Sequence, residues 1–100
     1  MEAKTMLVRC PYDKLVPISE LKPAPNNPNK HTPEQIERLA KVLEYQGIRK
    51  PIIVSKLNGE IVTGHGTLEA IKKNGWTKAP VSYQDFENSD QQYAHMVADN

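Results

Sequence analysis

Gly64-His65-Gly66-Thr67 is the stretch of this chain best suited to hold an oxyanion, because it joins an apolar run, Ile61-Val62-Thr63, to a helix-like one, Leu68-Glu69-Ala70-Ile71. A helix begins with backbone N–H groups that lack intrahelical partners, and its aligned peptide dipoles add about half a positive charge there. Phosphates settle at such places. Gly64 and Gly66 let the backbone approach a ligand closely, since glycine tolerates positive φ and carries no Cβ. His65 between them can donate to a phosphate when protonated, act as a general base, or simply order the turn. Thr67 reads as the helix N-cap or a first-turn residue whose hydroxyl serves the backbone or an anion. Glu69, placed in the first turn by this reading, suits the helix dipole but repels a phosphate.

Other residues with chemistry to offer are scattered. Asp99 and Asn100 could hold a divalent ion through oxygen, or form part of a helix surface. His31 reads as a surface residue ahead of a helix, and His95 as a residue that packs or faces water on a third helix, with no second ligand at zinc spacing. Trp76 reads as core. Arg49, Lys50, Lys72, Lys73 and Lys78 are the local basic sets, read as a solvated face with some capacity for weak contact to a nucleic-acid backbone.

The elements that must carry these residues are legible from their punctuation. Met6 to Arg9 is a candidate short strand, and Lys14 to Ile18 a better one, followed by a turn at Ser19-Glu20-Leu21. Prolines 23, 25 and 28 with asparagines 26, 27 and 29 then forbid regular structure. Thr32 with Pro33 and Gln35 forms a capping box that opens a helix, Ile36, Leu39, Ala40 and Leu43 give its apolar stripe, and Gly47 is expected to close it as a left-handed cap. Pro51 to Lys56 and Glu60 to Thr63 read as a hairpin turning at Asn58-Gly59. A second helix is expected over about Thr67 to Asn74, a strand over Ala79 to Tyr83, and a third helix capped by Ser89 with Gln92 and running to about Val97. The fold class that results is a small α+β domain with a mixed sheet and three helices. Residues 1–13 read as an N-terminal extension or edge strand, and residues 14–100 as a domain expected to continue past Asn100.

Composition narrows the function. One hundred residues with 38% apolar and 25% charged side chains suit one soluble core. No apolar run approaches the ~20 residues of a membrane span, and no signal peptide precedes the domain, so a cytoplasmic location is expected. A lone Cys10 forms no internal disulfide. With a formal net charge of +1, the chain lacks the electrostatic footprint of a tight duplex binder.

Val16-Pro17-Ile18-Ser19-Glu20-Leu21-Lys22-Pro23, the Asn27-Pro28 loop, Thr32-Pro33-Glu34-Gln35-Ile36, the strands ending in Gly64-His65-Gly66, and Ala98-Asp99-Asn100 together resemble the ParB/sulfiredoxin superfamily. The likeness is to ParB-like domains of phage and plasmid proteins, including those described as ParB-like nucleases. It implies that the segment from Gly64 to Ala70 binds nucleotide phosphates, usually with arginines where this chain has Gly66 and Thr67. Loss of those arginines removes a bidentate grip. It also implies that Asp99 and Asn100 assist a metal and hydrolysis. Sulfiredoxins place their catalytic cysteine where this chain has His65. Serine kinases of the superfamily carry a glutamate in the loop matching Pro25-Asn26-Asn27, which here has none.

The expected function is therefore a nucleotide- or phosphate-binding module of a phage or plasmid DNA-processing protein, with weak or no hydrolysis. Its expected ligand is a nucleoside triphosphate, CTP or ATP, with Mg2+. The binding set is Gly64, His65, Gly66, Thr67 and Asn27; the catalytic set is His65 and Asp99; the metal set is Asp99 and Asn100. DNA contact is expected through regions outside this chain, without a membrane, and homodimerisation is left open. The alternatives are a metal-dependent nucleotide hydrolase or nuclease, and a non-catalytic interaction domain.

Overall fold

Thr32 and Gln35 build the best-formed helix start in the chain: the Thr32 hydroxyl accepts the Gln35 N–H at 3.1 Å, and Gln35 Oε1 accepts the Thr32 N–H at 2.8 Å. Two orphan donors are satisfied reciprocally, and Pro33 supplies a residue already set for the first turn. The structure, a computed structural model, describes residues 5–99. Helix α1 runs over Pro33–Gln46 with Ala40 and Leu43 buried on the expected stripe.

Gly47 stops α1 at φ +84° and ψ 171°, so it is a positive-φ stop and not the left-handed helical cap the sequence suggested. The chain must turn at once there. Ile48 donates to Leu7 O and accepts from Arg9 N, each at 2.8 Å, and a Cβ on Gly47 would meet Arg9 Cγ at 2.8 Å. Those bonds are what becomes of the expected strand at Met6 to Arg9: a single parallel bridge between Val8 and Ile48.

Four strands form one sheet: β1 (Lys14–Pro17), β2 (Ile52–Ser55), β3 (Ile61–Thr63) and β4 (Lys78–Gln84), with a 3-10 turn at Ile18–Glu20 after β1. Their order is β1-β4-β2-β3, antiparallel at both edges and parallel between β4 and β2 in the centre. With α2 (His65–Lys73) and α3 (Ser89–Val97) the expected α+β fold with a mixed sheet and three helices is present.

The β2–β3 hairpin turns at Asn58-Gly59, but through a longer loop than a two-residue turn. Only glycines have positive φ among the described residues, so Asn58 does not enter the mirror-image turn. Instead Gly59 N–H reaches Ser55 O at 2.9 Å, and Asn58 Oδ1 takes the Glu60 N–H at 3.0 Å.

Two helix starts differ from the sequence reading. Gly64, at φ +99° and ψ 17°, is the N-cap of α2 and His65 its first residue, so Thr67 is third in the helix, not its cap. Glu69 accordingly falls in the second turn, where it pairs with Lys72 at 3.8 Å. The reading took both glycines for turn residues, whereas one left-handed residue suffices to send the chain from β3 into a helix. For α3, Asn88 and not Ser89 is the cap, accepting the Gln91 N–H at 2.8 Å. Asn, Ser and two consecutive glutamines made either frame fit, and burial decided: Gln92 faces inward at 3% exposure.

The far end of α2 is a Schellman motif. Trp76 N–H reaches Ile71 O at 3.1 Å and Gly75 N–H reaches Lys72 O at 3.0 Å, with Gly75 at φ +76°. Asn74 Nδ2 then donates to Ala40 O at 2.9 Å and locks α2 to α1. Both helices cover one face of the sheet, over a core that includes Val16, Ile52, Val54, Leu68, Ile71, Trp76 and Val81. Helix α3 lies on the other face over a smaller cluster of Ala24, Val62 and Met96, with Ile53 and Phe86 at its margin.

Candidate phosphate site at the start of the second helix

Edge strand β3 delivers the chain to Gly64, and only glycine fits there: an added Cβ would lie 3.0 Å from Ile52 Cγ1 and 3.1 Å from Ile52 Cα, at a backbone φ that L side chains avoid. The first helical hydrogen bond of α2 is Leu68 N–H to Gly64 O at 2.9 Å. The amides of His65, Gly66 and Thr67 thus precede the intrahelical ladder, and no side chain among the described residues caps them.

His65 is held by its ring. Its Nε2 accepts the Ala24 N–H at 3.1 Å, which in the neutral imidazole leaves the proton on Nδ1. Burial pushes its pKa below the ordinary value of 6.5; Asp99 and Glu69 oppose that shift, while His31 and Lys30 add to it. The lone pair a general base would use is engaged, and the environment disfavours the cation that would grip a phosphate. His65 fastens the Pro-Asn loop to α2.

Asp99, 35 positions from Gly64, comes back to it: its Oδ2 accepts the Gly64 N–H at 3.2 Å. The structure therefore gathers Gly64, Gly66, Thr67 and Asp99 around one cleft of about 350 Å³, whose walls also include His31, Lys50 and Ile53. Asn27 lies elsewhere, lining a second cleft of about 530 Å³ with His65, Lys30, Glu69 and Lys73. Its amide is turned onto its own loop, accepting from Asn29 N at 3.1 Å and donating to Asn29 O at 3.0 Å. Asn29 in turn donates to Met96 O at 2.9 Å. Asn100 lies outside the described residues.

Among the described residues Asp99 is the one carboxylate lining the smaller cleft. A magnesium ion held mainly by ligand phosphates asks for one or two carboxylates, which Asp99 could supply. Among the described residues no group of three His, Cys, Asp or Glu side chains is placed to hold a metal. The Cys10 thiol is pushed up by burial, away from the reactive thiolate.

The sequence profile of the ParB N-terminal domain matches residues 5–100. This chain belongs to that family. Over 65 residues it is 31% identical to the ParB-like nuclease domain-containing protein YnaK of Escherichia coli K12, covering 65% of this chain and 74% of that protein. Among solved structures the ParB fold recurs in the C-terminally truncated ParB of Caulobacter crescentus complexed with CTP-γ-S, with a TM-score of 0.72 at 22% identity, covering 84% of this chain and 49% of that one. This ParB-family chain thus spans about half the length of that relative. A free serine kinase in complex with AMP also shares the fold, with a TM-score of 0.61 at 23% identity over 90% of this chain and 36% of the kinase.

Two residues of the smaller cleft were missed as site residues by sequence reasoning, His31 and Lys50. Both precede regular elements, and nothing in their spacing to Gly64 reveals that the Pro-Asn loop and the start of β2 meet at α2. Asp99 was legible only through the family resemblance.

Proposed function

We propose that this ParB-family domain is a nucleotide-binding module that seats a triphosphate on the start of α2. The observation that carries the reading is the cleft into which α2 begins: the amides of Gly66 and Thr67, outside the helical ladder, with Lys50 and His31 on the walls beside them. Helix-start amides and a nearby cation are the recurrent means of holding phosphate. Crystallised relatives of the same fold carry CTP-γ-S and AMP, which supports a nucleoside triphosphate, CTP or ATP, as the ligand. The nucleoside end would extend toward the larger cleft, where Asn27 and His65 stand on the wall.

Asp99 would hold magnesium together with ligand phosphates, and that ion would neutralise charge on the triphosphate. Hydrolysis in this reading is weak or absent, because the lone pair of His65 is tied to Ala24. The setting that fits is a cytoplasmic DNA-processing protein of phage or plasmid type, with DNA contacted by regions outside this chain. In the structure itself, no described helix is long and apolar enough to cross a membrane.

Heat melting with CTP, ATP and GTP, with and without magnesium, tests the proposal. A ligand at a hundred times its Kd adds about 2.7 kcal/mol of apparent stability. Thr67→Glu puts a carboxylate where the phosphate would lie, at a helical position that tolerates glutamate. The expected result is loss of the nucleotide-induced shift with the ligand-free melting temperature kept. An unchanged shift in that variant, or no shift with any nucleotide in the wild type, overturns the assignment.

A further inference from the structure

Glycine inside the first turn of a helix costs about 1 kcal/mol relative to alanine, so Gly66 needs a reason other than helix formation. The space above it supplies one. A Cβ built there would lie 2.9 Å from His31 Nε2, 3.2 Å from its Cε1 and 3.3 Å from its Cδ2. The Nε2 edge of the imidazole is therefore the part of His31 turned toward the first turn of α2, and Gly66 lacks the side chain that would displace it.

Among the described residues His31 is also the one that lines both clefts. It immediately precedes Thr32, so the capping box of α1 fixes the backbone on which it stands. Neither ring nitrogen makes a hydrogen bond with another described residue, in contrast to His65, whose Nε2 is taken by Ala24. One histidine of the pair is tied into the fold, and the ring of the other is not engaged by any described residue.

We propose that His31 is the phosphate-gripping side chain of this site, reaching from the Pro-Asn loop over Gly66 to do from outside the helix what arginines at positions 66 and 67 would do from within it. This deepens the nucleotide reading and rests on it. The charged and titratable groups that line the two clefts with His31 are Lys30 on its own loop, His65, Glu69 and Lys73 on α2, Lys50 ahead of β2, and Asp99 after α3. Lysines outnumber carboxylates among them, so a phosphate brought to His31 enters a field that favours it.

The test is titration calorimetry with CTP and with ATP, paired with ligand-free melting. His31→Ala should weaken binding of whichever nucleotide binds the wild type by tenfold or more without lowering the ligand-free melting temperature, because the ring is exposed and makes no hydrogen bond with another described residue. His31→Lys should recover part of that loss by supplying a donor that reaches the same phosphate. Gly66→Ala should also weaken binding, by pushing the ring aside, while its own melting temperature does not fall. If Thr67→Glu abolishes binding but His31→Ala binds within twofold of the wild type, the role of His31 is refuted and the nucleotide reading stands. If the wild type binds neither nucleotide, both fail together.

Discussion

Protonating His65 would set a second ring proton against the Ala24 N–H that its Nε2 now accepts. Its folded-state pKa lies below 6.5, chiefly through burial, so between 6.5 and that lower value the unfolded chain holds a proton that the folded chain resists. The unfolded state then binds more protons, and stability rises with pH across the window. We expect full stability from this source above 6.5 and a progressive loss as pH falls below it. Urea unfolding at pH 5 and 7.5 should show a drop in the wild type that His65→Gln lessens, since an amide accepts without titrating. A parallel drop in both proteins would show that another group is responsible. At this scale the sequence was informative where chemistry is local: two glycines beside a histidine pointed to the start of α2 without any structure. It was silent about Ala24, His31 and Lys50, because their part in the site comes from loops whose paths no periodicity encodes.

Among the elements, α1 was the most legible, since capping box, proline and apolar stripe all agree. Thr32→Ala should therefore cost about 1 kcal/mol, read in a domain of this size as a fall in Tm of about 4–8 °C. The glycines give a sharper comparison. Gly59→Ala meets nothing within 4 Å and suffers only from its φ of +76°, whereas Gly64→Ala combines a φ of +99° with the approach to Ile52. The left-handed region costs a residue with a side chain roughly 1–2 kcal/mol, so both variants lose stability and Gly64→Ala loses more. Equal losses in denaturant melts would mean that β2 yields to the added methyl. The starts of α2 and α3 were misplaced by one or two residues, because neighbouring residues with similar capping ability leave the frame to be chosen by tertiary packing.

At the level of the whole molecule, the two faces of the sheet are unequally supported. Helices α1 and α2 share the main core, whereas α3 rests on Ala24, Val62 and Met96 with their margin. Met96, 1% exposed, is its chief anchor, and Met96→Ala should cost about 2–5 kcal/mol, a large share of the 5–15 kcal/mol typical of a domain. Hydrogen exchange should show α3 amides opening before those of α1; the reverse order would place the weak face on the other side. The mixed sheet itself was foreseen from alternating strands and helices, but its order was not, since pairing partners lie far apart in the chain. That order has a consequence for synthesis. The central seam between β1 and the β2–β3 hairpin is closed by Lys78–Gln84, the last in sequence of the four described strands. A two-stranded hairpin alone is barely stable in water. A nascent chain released short of residue 78 would therefore carry Gly64 at the end of a hairpin without its central neighbour, braced by the bond that joins α2 to α1.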